Sequence, residues 1–345
     1  MWRSTGRAAW CGAGRKLCGM SMAPAFAAFA VLACWMWLLT TVPALAQVFP
    51  VRPVRIVVPF PPGDSVDLTA RMIAPRLTEL LGQPVIVENI VGGSGQVGIA
   101  AVARAAPDGH TIAAGQAGNL IVIPHTFRKV PYDTLKNLTA IALTTTNYQA
   151  IVANLNAPFR NFQEMVAYAK ANPGKLALAT NGEGGYPHLT FEDLRLRAGF
   201  SYLHVPYKGS VQVVTDLLGG QVQAAILGIS PFAPHLRSGK LRLLAVTYPT
   251  RPADWPEAQT VAEVIPGFSA VGWFGYVAPA GTPPAVVQIL NTAINRAINE
   301  KEVADKLAAV GLTVVAETPA YFDAVLRADH ARYGRIVKDI GFEPQ

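Results

Sequence analysis

Along the chain, short apolar runs rich in β-branched residues alternate with stretches in which apolar residues recur every three or four positions. The runs at 54–58, 85–87, 111–114, 150–152, 176–180, 203–206, 224–227, 241–247 and 273–277 predict strands, and the amphipathic stretches at 66–81, 162–171, 189–198, 211–218, 284–310 and 319–340 predict helices. Asn161 with Glu164 three residues on suits a capping box, and Gly82, Gly199, Gly239 and Gly311 fall where helix C-caps belong. Pro75 lies inside the first helical stretch and predicts a kink there. This alternation argues for α/β architecture with mostly parallel sheets. Two longer apolar stretches, 140–152 and 269–277, suit strands that cross between two domains. Two such crossovers leave a cleft, a common place for a small-molecule site.

The first residues stand apart from this pattern. Arg3, Arg7, Arg15 and Lys16 precede an apolar run at 25–39, and Ala44-Leu45-Ala46 closes the segment as a small-x-small cleavage signal. Together they read as a secretory signal peptide cleaved near Ala46. A membrane anchor is the alternative, since the run falls just under the spanning length. A lipoprotein signal at Val31-Leu-Ala-Cys34 is another, weakened by the apolar residues after the cysteine. Without the leader the formal charge falls from +7 to +3, because four of the basic residues and none of the acids lie in it. All three cysteines, Cys11, Cys18 and Cys34, go with it, so neither a disulfide framework nor a thiol nucleophile is expected. A mildly basic chain without an aromatic-basic repeat predicts no nucleic-acid partner.

Few motifs point to catalysis. Gly93-Ser-Gly95-Gln-Val-Gly98 has the G-x-G-x-x-G spacing, but no acid ends the following strand to bind a ribose, so a close-packed turn that could line the cleft is the better reading. The six histidines show no metal-binding spacing, and no G-x-S-x-G elbow is present. No metal, cofactor or catalytic residue is therefore expected. His188, after Pro187 at a helix start, reads as a structural or pocket hydrogen-bonder. Lys208, in a Gly turn, reads equally as a solvated lysine or as a cleft-facing residue.

Many segments in register resemble one family: Pro59-Phe-Pro-Pro-Gly63 with Ser65 and Asp67, Val85-Ile-Val-Glu-Asn89, Ala105-Ala-Pro-Asp-Gly109, Asn172-Pro-Gly-Lys175, Pro187-His-Leu189, His204-Val-Pro-Tyr-Lys-Gly209, Asp216-Leu-Leu-Gly-Gly-Gln221, Ser238-Gly-Lys-Leu241 and Ala278-Pro-Ala-Gly-Thr282. The chain thus resembles the periplasmic receptors of tripartite tricarboxylate transporters, the Bug receptors, from about Pro53 to its end. The resemblance implies a two-lobed type II periplasmic-binding-protein fold with a ligand cleft between lobes 47–148 plus 270–345 and 149–269. It implies a non-enzymatic, monomeric receptor that closes on a small organic acid or related solute and delivers it to integral-membrane transporter subunits, although some members lack adjacent transporter genes. It places Phe60, Pro62, Gly63, Asp64, Ser65, Asp67, Gln116 and Asn119 of the first lobe at the ligand. From the second it places Gly184, Gly185, Tyr186, His188, Lys208, Gly228, Ile229 and Ser230 there.

The departures from the family pattern fall at ligand-facing positions. Asp64 stands where a second glycine is usual, Gly184-Gly185-Tyr186 where small hydroxyl residues are usual, and Gly228 where an acid is common. Asp64 caps the helix or faces solvent, meets a ligand cation or amide donor, or is protonated when ligand binds. Tyr186 would add an aromatic wall and a phenol donor, favouring an aromatic or amide-bearing solute. An exported hydrolase or sensor ectodomain on the same scaffold is the alternative function.

Overall fold

The computed structural model describes residues 49–345; the expected leader with its three cysteines and the expected cleavage near Ala46 lie outside the described residues. Strand β1 (Val54–Val58) is apolar at every position but Arg55 because it is covered on both faces. It runs parallel to β2 (Val85–Asn89) on one side and to β3 (Thr111–Gln116) on the other. Val54, Ile56 and Val58 pack under α1 (Ser65–Leu81), and Val57 packs on the opposite face with α2 (Gln96–Ala103).

The feature that positions everything else is β4 (Leu138–Asn154), a strand of 17 residues. At about 3.3 Å per residue it reaches roughly 55 Å, enough to serve two halves of the molecule. Its first part, Leu138 to Tyr148, pairs with β9 (Val271–Pro279), which also pairs with β3. Its second part, Gln149 to Asn154, lies between β7 (Ala224–Gly228) and β8 (Leu241–Val246). Beyond β7 come β5 (Ala177–Thr180) and β6 (Leu203–Pro206), while β10 (Thr313–Val314) adds to the first part of β4. Register shifts along β4 allow the added twist that a strand of this length needs.

The handover between halves falls between Tyr148, opposite Val271, and Gln149, opposite Gly228. The Thr247 hydroxyl joins the outgoing and returning strands there: it accepts from Gln149 N–H at 3.0 Å and donates to the Ala270 carbonyl at 2.7 Å. The second half has its own two-sided core. Ile151 and Ala153 pack with α3 (Phe162–Ala171) and α4 (Tyr186–Ala198), and Ala150 and Val152 pack with α5 (Ser210–Leu218). Helices α6 (Pro284–Ile298), α7 (Lys301–Ala309) and α8 (Pro319–Asp339) complete the first half.

Three expectations need correction. The sheets are mixed, with four parallel and five antiparallel ladders, because β4 and β9 cross the molecule in opposite directions and most of the antiparallel pairing is theirs. The helix expected over 284–310 is two helices: Glu300 is extended (φ −60°, ψ 132°), and the turn returns Val303 and Leu307 to the first core. At Pro75, where a kink is expected, the helix assignment of α1 runs on unbroken from Ser65 to Leu81. Asn161 caps α3 by accepting from Glu164 N–H, but the Glu164 carboxylate returns to the Arg160 N–H, one residue short of a closed box. The four C-terminal glycines all adopt left-handed φ.

Candidate functional site

A cavity of about 290 Å³ opens at the handover. One wall comes from the first half: Phe60 after β1, Ser94 before α2, the stretch Gln116 to Asn119 after β3, Ile123, Phe127, and Gly272 to Phe274 on β9. The other comes from the second half: Asn181, Gly182, Glu183, Gly185, Tyr186 and Pro187 before and at the start of α4, with Gln149 and Gly228 on the paired strands. Asn147 lies on β4 between them, in space left by glycine, since a Cβ at Gly272 would sit 2.0 Å from Asn147 Oδ1. The α4 N-terminus presents the positive end of a 13-residue helix to the cavity.

No Lys, Arg or His lines this cavity, and Glu183 is its one charged side chain. The polar lining consists mainly of carboxamides, Gln116, Asn119, Asn147, Gln149 and Asn181, and the apolar lining mainly of rings, Phe60, Phe127, Tyr186, Trp273 and Phe274. Two carboxamides are buried with one atom each unpartnered. Asn119 Oδ1 accepts from Gln116 N–H at 2.9 Å, leaving its Nδ2 without a partner. Gln149 Nε2 donates to Thr190 Oγ1 at 3.0 Å, leaving its Oε1 without one. Trp273 donates its indole N–H to Asp329 at 2.8 Å, so it offers the cavity a ring and no donor. Burial keeps the Tyr186 phenol neutral, well above its ordinary range, and its ring lies 5.5 Å from that of Tyr333.

The first wall is framed by Asp67. Its buried carboxylate accepts from Gly63 N–H at 2.9 Å, from Arg71 Nε at 3.0 Å and from Asn89 Nδ2 at 2.8 Å. Burial alone would raise this carboxyl, but the bonds from Arg71, Gly63 and Asn89 outweigh it and hold it below the usual range. Asn89 also donates to the Phe60 carbonyl, which fixes the loop that carries the Phe60 ring. The second wall is framed by imidazoles. His188 Nδ1 accepts from Gly184 N–H at 3.0 Å, and its ring stacks on His204 with centroids 3.9 Å apart and planes 4° apart. His204 Nε2 lies 2.7 Å from Thr180 Oγ1, which donates to the Gly182 carbonyl. Burial, with the Arg195 charge beside His188 and His188 beside His204, lowers both imidazoles to about 4.

Of the residues singled out in the sequence, Phe60, Gln116, Asn119, Gly185, Tyr186 and Gly228 line the cavity. Asp64 does not: it is the N-cap of α1, accepting from Val66 N–H at 2.9 Å. Burial raises its carboxyl, the Val66 bond opposes this and the Asp67 charge adds to it. Pro62, Gly63 and Ser65 are exposed in that loop, and Asp67 is turned inward, as described. Gly184 and His188 lie beneath the second-wall loop rather than on its surface, and Lys208 is exposed outside the lining. Ile229 is buried in the second core, and the Ser230 hydroxyl donates to the Val310 carbonyl. Sequence reasoning missed Asn147, Gln149, Asn181, Glu183, Phe127, Trp273 and Phe274 as lining residues. A long apolar run containing Asn147 and Gln149 carries a signal in retrospect, because a polar residue inside a buried crossing strand needs a partner. Gly98 packs as the turn reading requires: a Cβ there would meet the Ile90 carbonyl at 2.7 Å.

Contacts between the halves sit beside the cavity. Arg332 on α8 donates to Asp193 on α4 at 2.8 Å, and Asp193 also accepts from Arg197 at 2.8 Å. Gly184 lies under the Phe342 ring, where an added Cβ would come within 2.9 Å. Among the described residues no helix is long and apolar enough to cross a membrane, and no group of three or more His, Cys, Asp or Glu is placed to hold a metal.

Comparison with known proteins agrees with this architecture. The sequence profile described as "Tripartite tricarboxylate transporter family receptor" matches residues 69–342. Protein BugT of Bordetella pertussis is 37% identical over 305 residues, covering 87% of this chain and 92% of that one. Among solved structures, R. palustris Rpa4515 with adipate superposes with a TM-score of 0.75 at 30% identity, covering 86% of this chain and 100% of that one. MatC from Rhodopseudomonas palustris with bound malate gives a TM-score of 0.72 at 31% identity, covering 84% and 100%. With its crossed strands, its two-lobed α/β fold and its cleft at the crossing, the chain belongs to the tripartite tricarboxylate transporter receptor family, the group of periplasmic solute-binding proteins that includes the Bug proteins.

Proposed function

We propose that the protein is an exported receptor that captures a small organic acid or a related amide-bearing or aromatic solute in the handover cavity. It then passes the solute to integral-membrane subunits of a tripartite tricarboxylate-type transporter. The observation that carries this reading is the cavity itself, built half from each part of the molecule and lined by carboxamides, backbone at a helix N-terminus, and aromatic rings. Such a lining orients a small polar molecule by fixed dipoles and excludes water when the walls approach. The adipate and malate bound by the two structural relatives support a small organic acid.

The lobes are 47–148 plus 270–345 and 149–269, a division supported by the change of strand partners between Tyr148 and Gln149. Ligand contact comes from Phe60, Gln116, Asn119, Gly185, Tyr186 and Gly228, with Asn147, Gln149 and Trp273 added to the set. Affinity for the closed arrangement drives closure. The receptor is monomeric and works in the periplasm after cleavage near Ala46.

Native mass spectrometry of the protein purified from cells expressing the full chain tests this. The expected result is one stoichiometric small solute, released on denaturation and identified by its mass. An empty protein that also shows no thermal shift with a panel of organic acids and their amides would overturn the receptor reading.

A further inference from the structure

Beyond α8 the chain turns back toward the cleft, and its own residues set the turn. Gly341 takes a left-handed φ of +63° and donates its N–H to the Lys338 carbonyl at 3.1 Å, while the Phe342 N–H donates to the Val337 carbonyl at 3.1 Å. This paired bonding ends a helix at a left-handed glycine, and an apolar contact from the next residue back to the helix commonly goes with it. Phe342 and Val337 share the first core in that way. The place of Phe342 is therefore fixed by α8.

Segment 341–345 then meets both walls of the cavity. On the first-wall side, the Gln345 N–H donates to the Thr126 carbonyl at 2.9 Å and the Arg128 N–H donates to the Gln345 carbonyl at 2.8 Å. Arg128 Nε adds a bond to the Pro344 carbonyl at 2.7 Å. These bonds bracket Phe127, which lines the cavity. On the second-wall side, the Phe342 ring lies under Gly184: a Cβ built there would be 2.9 Å from Phe342 Cζ and 3.4 Å from its Cε1. The ring also stands edge-on to His188, with centroids 6.2 Å apart and planes at 66°, and His188 Nδ1 accepts the Gly184 N–H. Gly182, Glu183, Gly185 and Tyr186, on both sides of Gly184, line the cavity, whereas Phe342 does not.

A loop with glycine at 182, 184 and 185 loses much conformational freedom when it is held in one shape, so something must hold it. His188 holds Gly184 by a hydrogen bond from the same half. Phe342 holds it by packing from the opposite half, and so ties it to the first wall as well.

We propose that segment 341–345 is a strap between the two walls and that Phe342 is a positioning residue, keeping the Gly182 to Tyr186 loop in the shape that faces the cavity. The strap requires no particular solute; that the loop's shape serves capture rests on the receptor reading.

Hydrogen exchange at pH 7, on the protein and its Phe342→Leu variant without added solute, tests this. Leucine keeps an apolar contact with α8 while withdrawing the ring edge from Gly184. Amides from Glu183 to Tyr186 are expected to exchange roughly tenfold faster or more, while 334–339 and Thr126 to Arg128 keep their protection. Unchanged exchange in the loop overturns the proposal, and so does a loss at the end of α8 as large as that in the loop. Thermal melts of Gly184→Ala, Phe342→Ala and the double variant give a second test. The double variant is expected to lose less Tm than the two single losses added, because the space left by the ring accepts the new methyl, and strict additivity overturns the strap. Neither measurement involves a solute, so failure of either leaves the receptor reading standing, and an empty cavity in native mass spectrometry leaves the strap standing.

Discussion

The two walls of the cleft solve the same problem with opposite chemistry. Each must hold a glycine-rich loop still at the edge of a binding cavity. The first does so with a buried charge: Asp67 gathers Gly63, Arg71 and Asn89, and Asn89 in turn holds the Phe60 carbonyl. The second does so with neutral imidazoles, His188 receiving Gly184 N–H and His204 anchored at Thr180. The difference teaches that neither loop needs a charge pointing at the ligand. Both frames lie behind the cavity surface, and the lining keeps only dipoles and rings, with Glu183 as its lone charge.

The largest expected effect breaks the first frame. Asp67→Ala leaves Asn89 and the Gly63 N–H without their acceptor in a buried setting and is expected to destabilise the protein by about 3 kcal/mol. Urea denaturation measures it, and a loss under 1 kcal/mol would show that the loop holds without its charge. In the second wall, Gly184→Ala is expected to cost about 2 kcal/mol. It places a Cβ at φ +65°, 2.9 Å from the Phe342 ring and 3.2 Å from the Thr126 side chain. Because those two residues belong to the opposite half, ligand affinity should fall with stability, which titration calorimetry on the folded variant would separate.

A milder test sets one frame against the other through pH. Both imidazoles ionise near 4 in the folded protein and near 6.5 when unfolded. A lowered histidine contributes stability that is complete above its unfolded value and declines as pH falls from about 6.5 toward about 4. The Asp67 carboxyl is also held low, and its contribution disappears only as pH falls below the ordinary carboxylate value of 3.8. Hydrogen exchange at pH 7 and pH 5 should therefore show the loop around Gly184 losing protection before the loop around Gly63. Equal losses would mean the imidazole pair does not carry the second loop. The smallest expected effect is at Lys208: as an exposed residue outside the lining, Lys208→Ala should change stability by less than about 0.5 kcal/mol and leave affinity unchanged. A tenfold loss of affinity would bring it into the site on closure.

Local signals were enough to read much of the fold. β1 announces itself by apolar residues at every position but one, and α1 by its period and its glycine C-cap, since burial on both faces and chain reversal each demand particular residue types. The crossing strands were legible too, because a strand serving two cores must stay apolar for longer than an ordinary one. The many motifs in register were sufficient to point to the family. Asp67 and Asn89 were recognisable as a conspicuous acid and amide, but not as partners of each other, being 22 residues apart with the pairing made only by β1 lying against β2.

What the sequence by itself determined is thus most of the succession of elements and the glycine caps that end helices, set by interactions among near neighbours in the chain, and the length of the apolar crossing strands. Only the tertiary structure decided which side chains meet the solute. Of the roles the sequence left open for Asp64 the structure selects the helix cap, whereas Gln149, hidden in an apolar run, lines the cavity beside its cross-strand neighbour Gly228. The direction of a side chain in a crossing strand depends on register with a partner more than 70 residues away, and no local pattern records that register.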